Sequence, residues 1–298
     1  MKSQLLKSDL LLLITALIWG SAFVAQRIGM DFVGPFTFNA VRFALGSLSL
    51  VPLVLITRRT SWASRKEKNN PQQVSLTFLI MSGGLVGSAL FLGASLQQVG
   101  LVYTTAGKAG FITGLYVVIV PILWFFRGRK SGSSTWIGAA LAAIGLYLLS
   151  VTSSFSIQFG DLLEIIGAFF WAAHILLIDH FSKKINPIVL SLIQFAFCSL
   201  LSFATALIFE TISLQGILDA GIPILYGGLG SVGIAYTLQV VAQRNAHPAH
   251  AAIILSLESV FAAVGGWLIL NEYLSTRSII GCLLMFAGML FSQLRKRS

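Results

Sequence analysis

Arg42, Glu258 and His174 are ionisable residues that lie well inside long apolar segments of this 298-residue chain. A charge is costly in hydrocarbon, so such residues face a polar cavity or a polar partner. Arg42 could bind an anionic group such as a carboxylate. Glu258, the only carboxylate near the middle of an apolar segment, could bind an ammonium group or carry a proton, because burial disfavours the charged form. His174 could shuttle protons near neutral pH.

Each of these residues also has a purely structural explanation. Arg42 could hydrogen-bond helix ends, or its side chain could extend to the outer surface of the membrane that the protein spans. Glu258 could bridge two helices as a neutral or paired carboxyl group, and His174 could be a core residue whose hydrogen bonds are satisfied. The residue types alone leave both explanations open.

Four more residues could line a cavity with these three. Trp19, Tyr116 and Tyr236 could form walls for a flat or apolar molecule, although aromatic residues in such segments also serve packing and interfacial belts. Gln194 is equivalent to Arg42 at a shift of 152 residues. We therefore expect a binding site made of seven residues, with Glu258 and His174 as the proton carriers: Trp19, Arg42, Tyr116, His174, Gln194, Tyr236 and Glu258.

The composition predicts an all-α integral membrane protein. Hydrophobic residues make up 56% of the chain and charged residues only 10%, which is not typical of a soluble domain. Segments of about 20 apolar residues are long enough to cross a bilayer as helices. We expect ten such transmembrane helices, near residues 10–26, 35–56, 74–96, 104–126, 135–151, 161–181, 187–209, 221–243, 251–270 and 278–294.

The first half of the chain recurs in the second half. At a shift of 152 residues, 11 of the 40 residues from 9 to 48 have identical counterparts, including Trp19 with Trp171 and Pro35 with Pro187. This predicts two repeats, residues 9–151 and 161–294. Each repeat holds five helices, an odd number, so the second must be inverted relative to the first, as in many secondary transporters.

Glycines and acidic residues are also repeated in the two halves. Gly138 and Gly145 match Gly281 and Gly288 at a spacing of seven, which favours close helix–helix contact. Asp9 and its counterpart Asp161 are expected to cap the first helix of each repeat.

The net charge of +10 reports orientation rather than nucleic-acid binding. With the N-terminus in the cytoplasm, 16 of the 20 Lys and Arg residues fall on the cytoplasmic side, as the positive-inside rule requires. We expect a multi-pass protein of the inner (plasma) membrane with both termini cytoplasmic, in contact with anionic lipid. The apolar N-terminal segment has a full-length counterpart around Trp171, so we expect it to remain as a helix instead of being cleaved.

No pattern typical of an enzyme is present. The sequence lacks HExxH, a phosphate-binding glycine loop and GxSxG. Cys198 and Cys282 lie inside apolar segments without metal-ligand spacing, and His247 and His250 flank Pro248 in an expected cytoplasmic loop. We expect no enzymatic activity, no metal and no cofactor.

The chain resembles the drug/metabolite transporter superfamily, in particular its EamA-type ten-helix branch. The resemblance rests on the motifs at residues 17–23, at Pro35 with Arg42 and Phe43, at residues 251–261, at residues 271–275, and at Gly281 and Gly288. It implies that helices 1–4 and 6–9 surround a central substrate cavity, while helices 5 and 10 pack at the periphery and could form a homodimer contact.

One departure from the EamA pattern concerns the ninth helix. The pattern usually has Leu-Glu-Pro-Val where this chain has Leu257, Glu258, Ser259 and Val260. Without that proline the ninth helix is expected to be straighter.

Together these features predict a secondary-active transporter that exports amino acids or related small metabolites by alternating access, with proton coupling as an option. Its expected partners are a small-molecule substrate and membrane lipid. Two alternatives remain open: an uptake carrier for a nucleoside-like or cofactor-like metabolite, and a non-transporting membrane scaffold or pore.

Overall fold

A computed structural model describes residues 2–64, 75–104, 106–129, 131–150, 158–270 and 275–293. These residues form helices and short connections, with no strand among them. The first half contains α1 (Lys2–Gly29), α2 (Pro35–Ser64), α3 (Leu76–Tyr103), α4 (Ala106–Gly114), α5 (Tyr116–Phe126) and α6 (Ser133–Ser150). The second half contains α7 (Phe159–Phe181), α8 (Pro187–Phe209), α9 (Leu214–Asp219), α10 (Gly221–Leu225), a π-helix (Tyr226–Tyr236), α11 (Thr237–Gln243), α12 (Pro248–Leu255), α13 (Glu258–Leu270) and α14 (Thr276–Gln293).

Eight helical segments of the described chain are long and apolar enough to cross a membrane. They agree with eight of the ten expected spans. The other two expected spans correspond to α6 and α14, whose apolar parts, Ser133–Leu148 and Thr276–Ser292, are shorter. The fold is therefore that of an all-helical membrane protein, and the count of ten remains a prediction.

Two of the spans are each broken by a single turn. The fourth span divides at Leu115, whose N–H bonds to Ile112 O at 3.1 Å, and the ninth divides at Ser256 and Leu257, where the Leu257 N–H bonds to Ile254 O at 3.1 Å. Both are i→i−3 bonds, which tighten a helix locally. The expectation of a straighter ninth helix is thus wrong: the break forms without a proline.

Helices α6 and α14 pack closely through their paired glycines. A methyl group added at Gly138 would lie 2.7 Å from Gly288 O, and one added at Gly145 would lie 2.5 Å from Gly281 O. No larger residue fits there, so the predicted close contact of these glycines is confirmed. Because residue numbers increase in opposite directions along the contact, the two helices run antiparallel.

Helices α2 and α8 also run antiparallel, and they exchange two matching hydrogen bonds. Ser47 Oγ donates to Leu192 O at 3.1 Å, and Ser199 Oγ donates to Ala40 O at 2.8 Å. Shifting Ser47 and Ala40 by 152 residues gives Ser199 and Leu192. The two hydrogen bonds are therefore equivalent under the repeat, with the roles of α2 and α8 exchanged.

Two expectations about polar residues near helix ends need correction. Asp9 does not cap α1, because that helix already begins at Lys2; Asp9 Oδ1 instead lies 2.9 Å from His250 Nε2. His250 is not in a loop but in the first turn of α12. Asp161 does act as expected: its Oδ2 accepts the Gln158 N–H at 2.9 Å in a capping box. The motif residues 271–274 and the basic residues at 65, 66, 68, 130 and 295–297 lie outside the described residues.

Candidate functional site

A narrow cavity of about 30 Å³ lies between the two halves of the helix bundle. Its walls come from α1, α2, α3, α4, α5, α7, α11, α13 and the π-helix. Fourteen residues line it: Trp19, Ala22, Phe23, Gln26, Arg42, Gln97, Thr113, Tyr116, Trp171, Ile175, Ser231, Tyr236, Gln239 and Glu258. The interior therefore combines aromatic rings, amides and hydroxyls with one cation and one carboxyl group.

Arg42 supplies the positive charge of the cavity and is only 3% exposed. Its Nε donates to Asn39 Oδ1 at 2.9 Å, and Asn39 Nδ2 in turn donates to Ala94 O at 3.2 Å. The guanidinium also lies against the rings of Phe38 and Phe43, 5.5 and 4.9 Å from their centroids. These contacts hold the side chain in place, yet no described carboxylate forms an ion pair with it. Its charge is available to an anionic ligand.

Glu258 supplies the carboxyl group of the cavity at the break of the ninth span. Its Oε1 accepts a hydrogen bond from Tyr116 Oη at 3.0 Å. Tyr116 is the first residue of α5 and Glu258 is the first residue of α13, so the contact joins the breaks of two spans. A second bond supports it, because Ser259 Oγ donates to Gly110 O at 2.8 Å.

Aromatic rings form the apolar wall. The ring of Tyr236, at the end of the π-helix, lies 4.4 Å from that of Trp19 and 6.1 Å from that of Trp171, measured between centroids. Trp19 Nε1 donates to Ser231 O at 3.4 Å, whereas Trp171 Nε1 has no protein acceptor among the described residues. A π-helix often marks a functional site, and here it brings Ser231 and Tyr236 to the cavity.

Five of the seven residues expected at the site line the cavity: Trp19, Arg42, Tyr116, Tyr236 and Glu258. His174 and Gln194 do not line it. They pair with each other, with 2.8 Å between His174 Nε2 and Gln194 Oε1. The His174 ring packs edge-on against Tyr236 at 6.2 Å. Both residues therefore lie behind the aromatic wall.

Several polar residues of the site are not among the seven expected ones. Gln26, Gln97 and Thr113 line the cavity, and Glu164 lies directly behind Thr113, whose Oγ1 donates to Glu164 Oε2 at 3.0 Å. Glu164 escaped notice because it lies near the start of its span, where carboxylates usually cap helices. The repeat contained a usable signal, since Glu164 replaces the apolar Leu12 of the first half.

Comparison with known proteins now identifies the family. The profile of the EamA-like transporter family matches the chain twice, over residues 6–151 and 158–293. The chain belongs to the EamA-like transporter family.

Similar proteins are transporters by name. A protein of Archaeoglobus fulgidus named "Uncharacterized transporter" is 34% identical over 97% of this chain and 87% of its own length. "Uncharacterized transporter YoaV" of Bacillus subtilis is 23% identical over 91% of both chains. A solved crystal structure with 17% identity superposes with a TM-score of 0.76 over 96% of both chains, which supports the fold. This EamA-like chain is therefore a multi-pass membrane transporter, and family and names point away from an enzyme.

Proposed function

We propose that the chain is a secondary-active transporter of the inner membrane that exports amino acids or related small amphipathic metabolites by alternating access. The observation that carries the proposal is the cavity itself. It holds a buried carboxyl group, an aromatic wall and a buried cation that has no ionic partner among the described residues. These three features match the carboxylate, the ammonium group and the side chain of an amino acid.

Arg42 is suited to the substrate carboxylate. A guanidinium can donate two parallel hydrogen bonds to a carboxylate, and Asn39 occupies only the Nε of Arg42. Glu258 is suited to the ammonium group, with Tyr116 as its partner when no substrate is present. The faces of Trp19, Trp171 and Tyr236 would contact the side chain and could also attract a cation.

The cavity is narrow in this structure. Its volume of about 30 Å³ has room for no more than a few water molecules. A substrate would therefore enter only when the helices that line the cavity move apart, as alternating access requires.

Alternating access is supported by contacts that repeat between the two halves. The paired bonds of Ser47 and Ser199 and the facing glycines of α6 and α14 are the contacts that two inverted five-helix repeats would make. In this proposal the repeats rock around the cavity, both termini are cytoplasmic, and α6 with α14 lies at the periphery, where a second copy could bind.

Exchange measurements test the transport activity. Purified protein in proteoliposomes loaded with an unlabelled amino acid should take up the same labelled amino acid above equilibrium, because a carrier exchanges its substrate. A pore would let the label equilibrate without such an overshoot, and a scaffold would pass none. A thermal-shift screen with amino acids and nucleosides selects the substrate, since a ligand stabilises the state that binds it.

Proton coupling is tested at Glu258, with His174 as the second candidate. Glu258→Gln keeps the shape of the side chain but cannot ionise, so the response of transport to a proton gradient should fall and binding of the substrate ammonium group should weaken. Asp219→Asn, at an exposed position of α9, serves as the control. An unchanged rate and pH profile in Glu258→Gln would leave Glu258 as a structural bridge.

A further inference from the structure

Glu164 is a fully buried carboxyl group that has one hydrogen-bond partner. It lies on α7, where its Oε2 accepts from Thr113 Oγ1 at 3.0 Å and its Oε1 has no partner among the described residues. A methyl group added at Gly100 of α3 would lie 2.7 Å from Glu164 Oε1. The glycine therefore leaves room for this carboxyl group between the helices.

The groups that surround Glu164 are mostly acidic. Asp161 lies one turn earlier on α7, where it accepts from Thr104 Oγ1 at 2.7 Å, and Glu258 lines the same cavity as Thr113. Arg27 of α1 donates to Leu101 O of α3 at 3.4 Å. On α4, Lys108 is the one charged residue, and its side chain lies outside the described part. No described cation forms an ion pair with Glu164, and a charged carboxylate is costly in such a place.

Thr113 connects Glu164 to the cavity. Its neighbours one turn away on either side, Gly110 and Tyr116, contact Ser259 and Glu258 of α13, so Thr113 lies at the end of the cavity where Glu258 would hold the substrate ammonium. A threonine hydroxyl has one hydrogen and two lone pairs. While Glu164 is ionised, that hydrogen is used on Glu164, and the lone pairs of Thr113 remain for the cavity.

Protonation of Glu164 reverses this arrangement. The new O–H of Glu164 can donate to Thr113 Oγ1, and the threonine hydrogen then turns to the cavity. The proton comes from the solution and forms an O–H bond at Glu164; the hydrogen bond from Thr113 to Glu164 is replaced by one from Glu164 to Thr113, and no covalent bond of Thr113 breaks. The hydroxyl changes from an acceptor, which favours an ammonium group, to a donor, which opposes one.

We propose that Glu164 is a proton-binding site that controls, through Thr113, whether the cavity accepts or rejects a substrate ammonium group. The inference rests on the proposed function and deepens it. Because binding effects are reciprocal, a substrate that binds the ionised form must lower the proton affinity of Glu164. Substrate and proton therefore compete, which is the linkage that export in exchange for a proton requires.

The first test measures binding of leucine, a small zwitterion with an apolar side chain, to the purified full chain. Between about pH 8 and about pH 5 the wild-type Kd should rise at least about fivefold, the lower end of common coupling energies. Glu164→Gln and Thr113→Val should reduce the rise at least about twofold, leaving the part that comes from Glu258, while Thr113→Ser should keep the full rise. Lys108→Gln should retain it. The inference would be overturned if the Kd of Glu164→Gln rose as much as that of the wild type, or if the rise were lost in Thr113→Ser.

The second test needs no substrate and separates failure of this inference from failure of the proposed function. Infrared spectra of the protein in lipid are recorded across the same pH range, and the carbonyl band of protonated carboxyl groups is followed. The spectrum of Glu164→Gln should lack one titrating band, and Thr113→Val should shift that band. If leucine does not bind the wild type, amino-acid transport is contradicted for this probe, and the infrared spectra decide whether Glu164 exchanges a proton. If Glu164→Gln removes no titrating carboxyl band, Glu164 is not a proton-binding site.

Discussion

Tyr116 Oη donates a hydrogen bond to Glu258 Oε1 across 3.0 Å, and each residue begins the second part of a broken span. The bond thus joins the two breaks at the wall of the cavity. Any motion that moves α5 relative to α13 must break it or carry both residues together. Removing this hydrogen bond therefore tests how strongly α5 in the first half is held to α13 in the second half.

Tyr116→Phe should weaken this coupling and lower stability. The substitution leaves the buried Glu258 carboxyl group without its partner, which costs about 1–3 kcal/mol. Thermal unfolding in detergent measures the loss. Tyr103→Phe is the matched control, because Tyr103 is 54% exposed and removal of its hydroxyl should change little. Equal melting temperatures for Tyr116→Phe and the wild type would show that the bond contributes nothing.

The sequence was sufficient for features that repeat or that follow from apolar length. Apolar length predicted the helical spans, and the glycine spacing predicted the contact of Gly138 with Gly288. The sequence also indicated the polarity of the site, since Arg42 and Glu258 are rare charges in apolar segments. These signals are local, or they recur in both halves of the chain, so no knowledge of the packing is needed to detect them.

Features that depend on which helices pack against each other could not be predicted from the sequence. The break at Ser256 and Leu257 forms without a proline, and its neighbour Ser259 finds an acceptor, Gly110 O, on a distant helix. The position of Glu164 behind Thr113 likewise depends on how α7 packs against α4. His174 and Gln194 were expected in the cavity because they are polar, but they bond to each other behind Tyr236.

Arg42→Ala should weaken binding of substrates with a carboxylate far more than binding of their amides. Loss of a charge-assisted hydrogen bond costs about 1.5–3 kcal/mol, which corresponds to roughly 10- to 150-fold in Kd. Arg42→Lys keeps the charge without the two parallel donors, so its loss should be intermediate. Titration calorimetry with an amino acid and its amide measures both effects. Equal losses for the two ligands would assign Arg42 a structural role only.

Gly288→Leu should separate α6 from α14 and lower stability without altering the cavity. Even a methyl group at this position would lie 2.6 Å from Gly138 O, and overpacking of this kind costs about 1–3 kcal/mol or more. Gly265→Ala is the control, because a methyl group there meets no atom within 4 Å. Thermal unfolding should rank Gly288→Leu well below Gly265→Ala, with an unchanged Kd for substrate in both. A stable Gly288→Leu protein would contradict the close contact.

Ser259→Pro should be tolerated at little more cost than Ser259→Ala. Both variants lose the bond to Gly110 O, worth about 1 kcal/mol. The added proline is tolerated because position 259 lies in the first turn of α13, where an N–H has no partner within the α-helix; only the turn bond to Ser256 O, 3.2 Å long, is lost. Ala263→Pro, in the interior of α13, should cost about 3 kcal/mol or more. Melting temperatures of the three variants measure these differences. If Ser259→Pro unfolds as readily as Ala263→Pro, the break between α12 and α13 depends on the Ser259 N–H. The turn at Ser256 and Leu257 would then be insufficient to maintain the break.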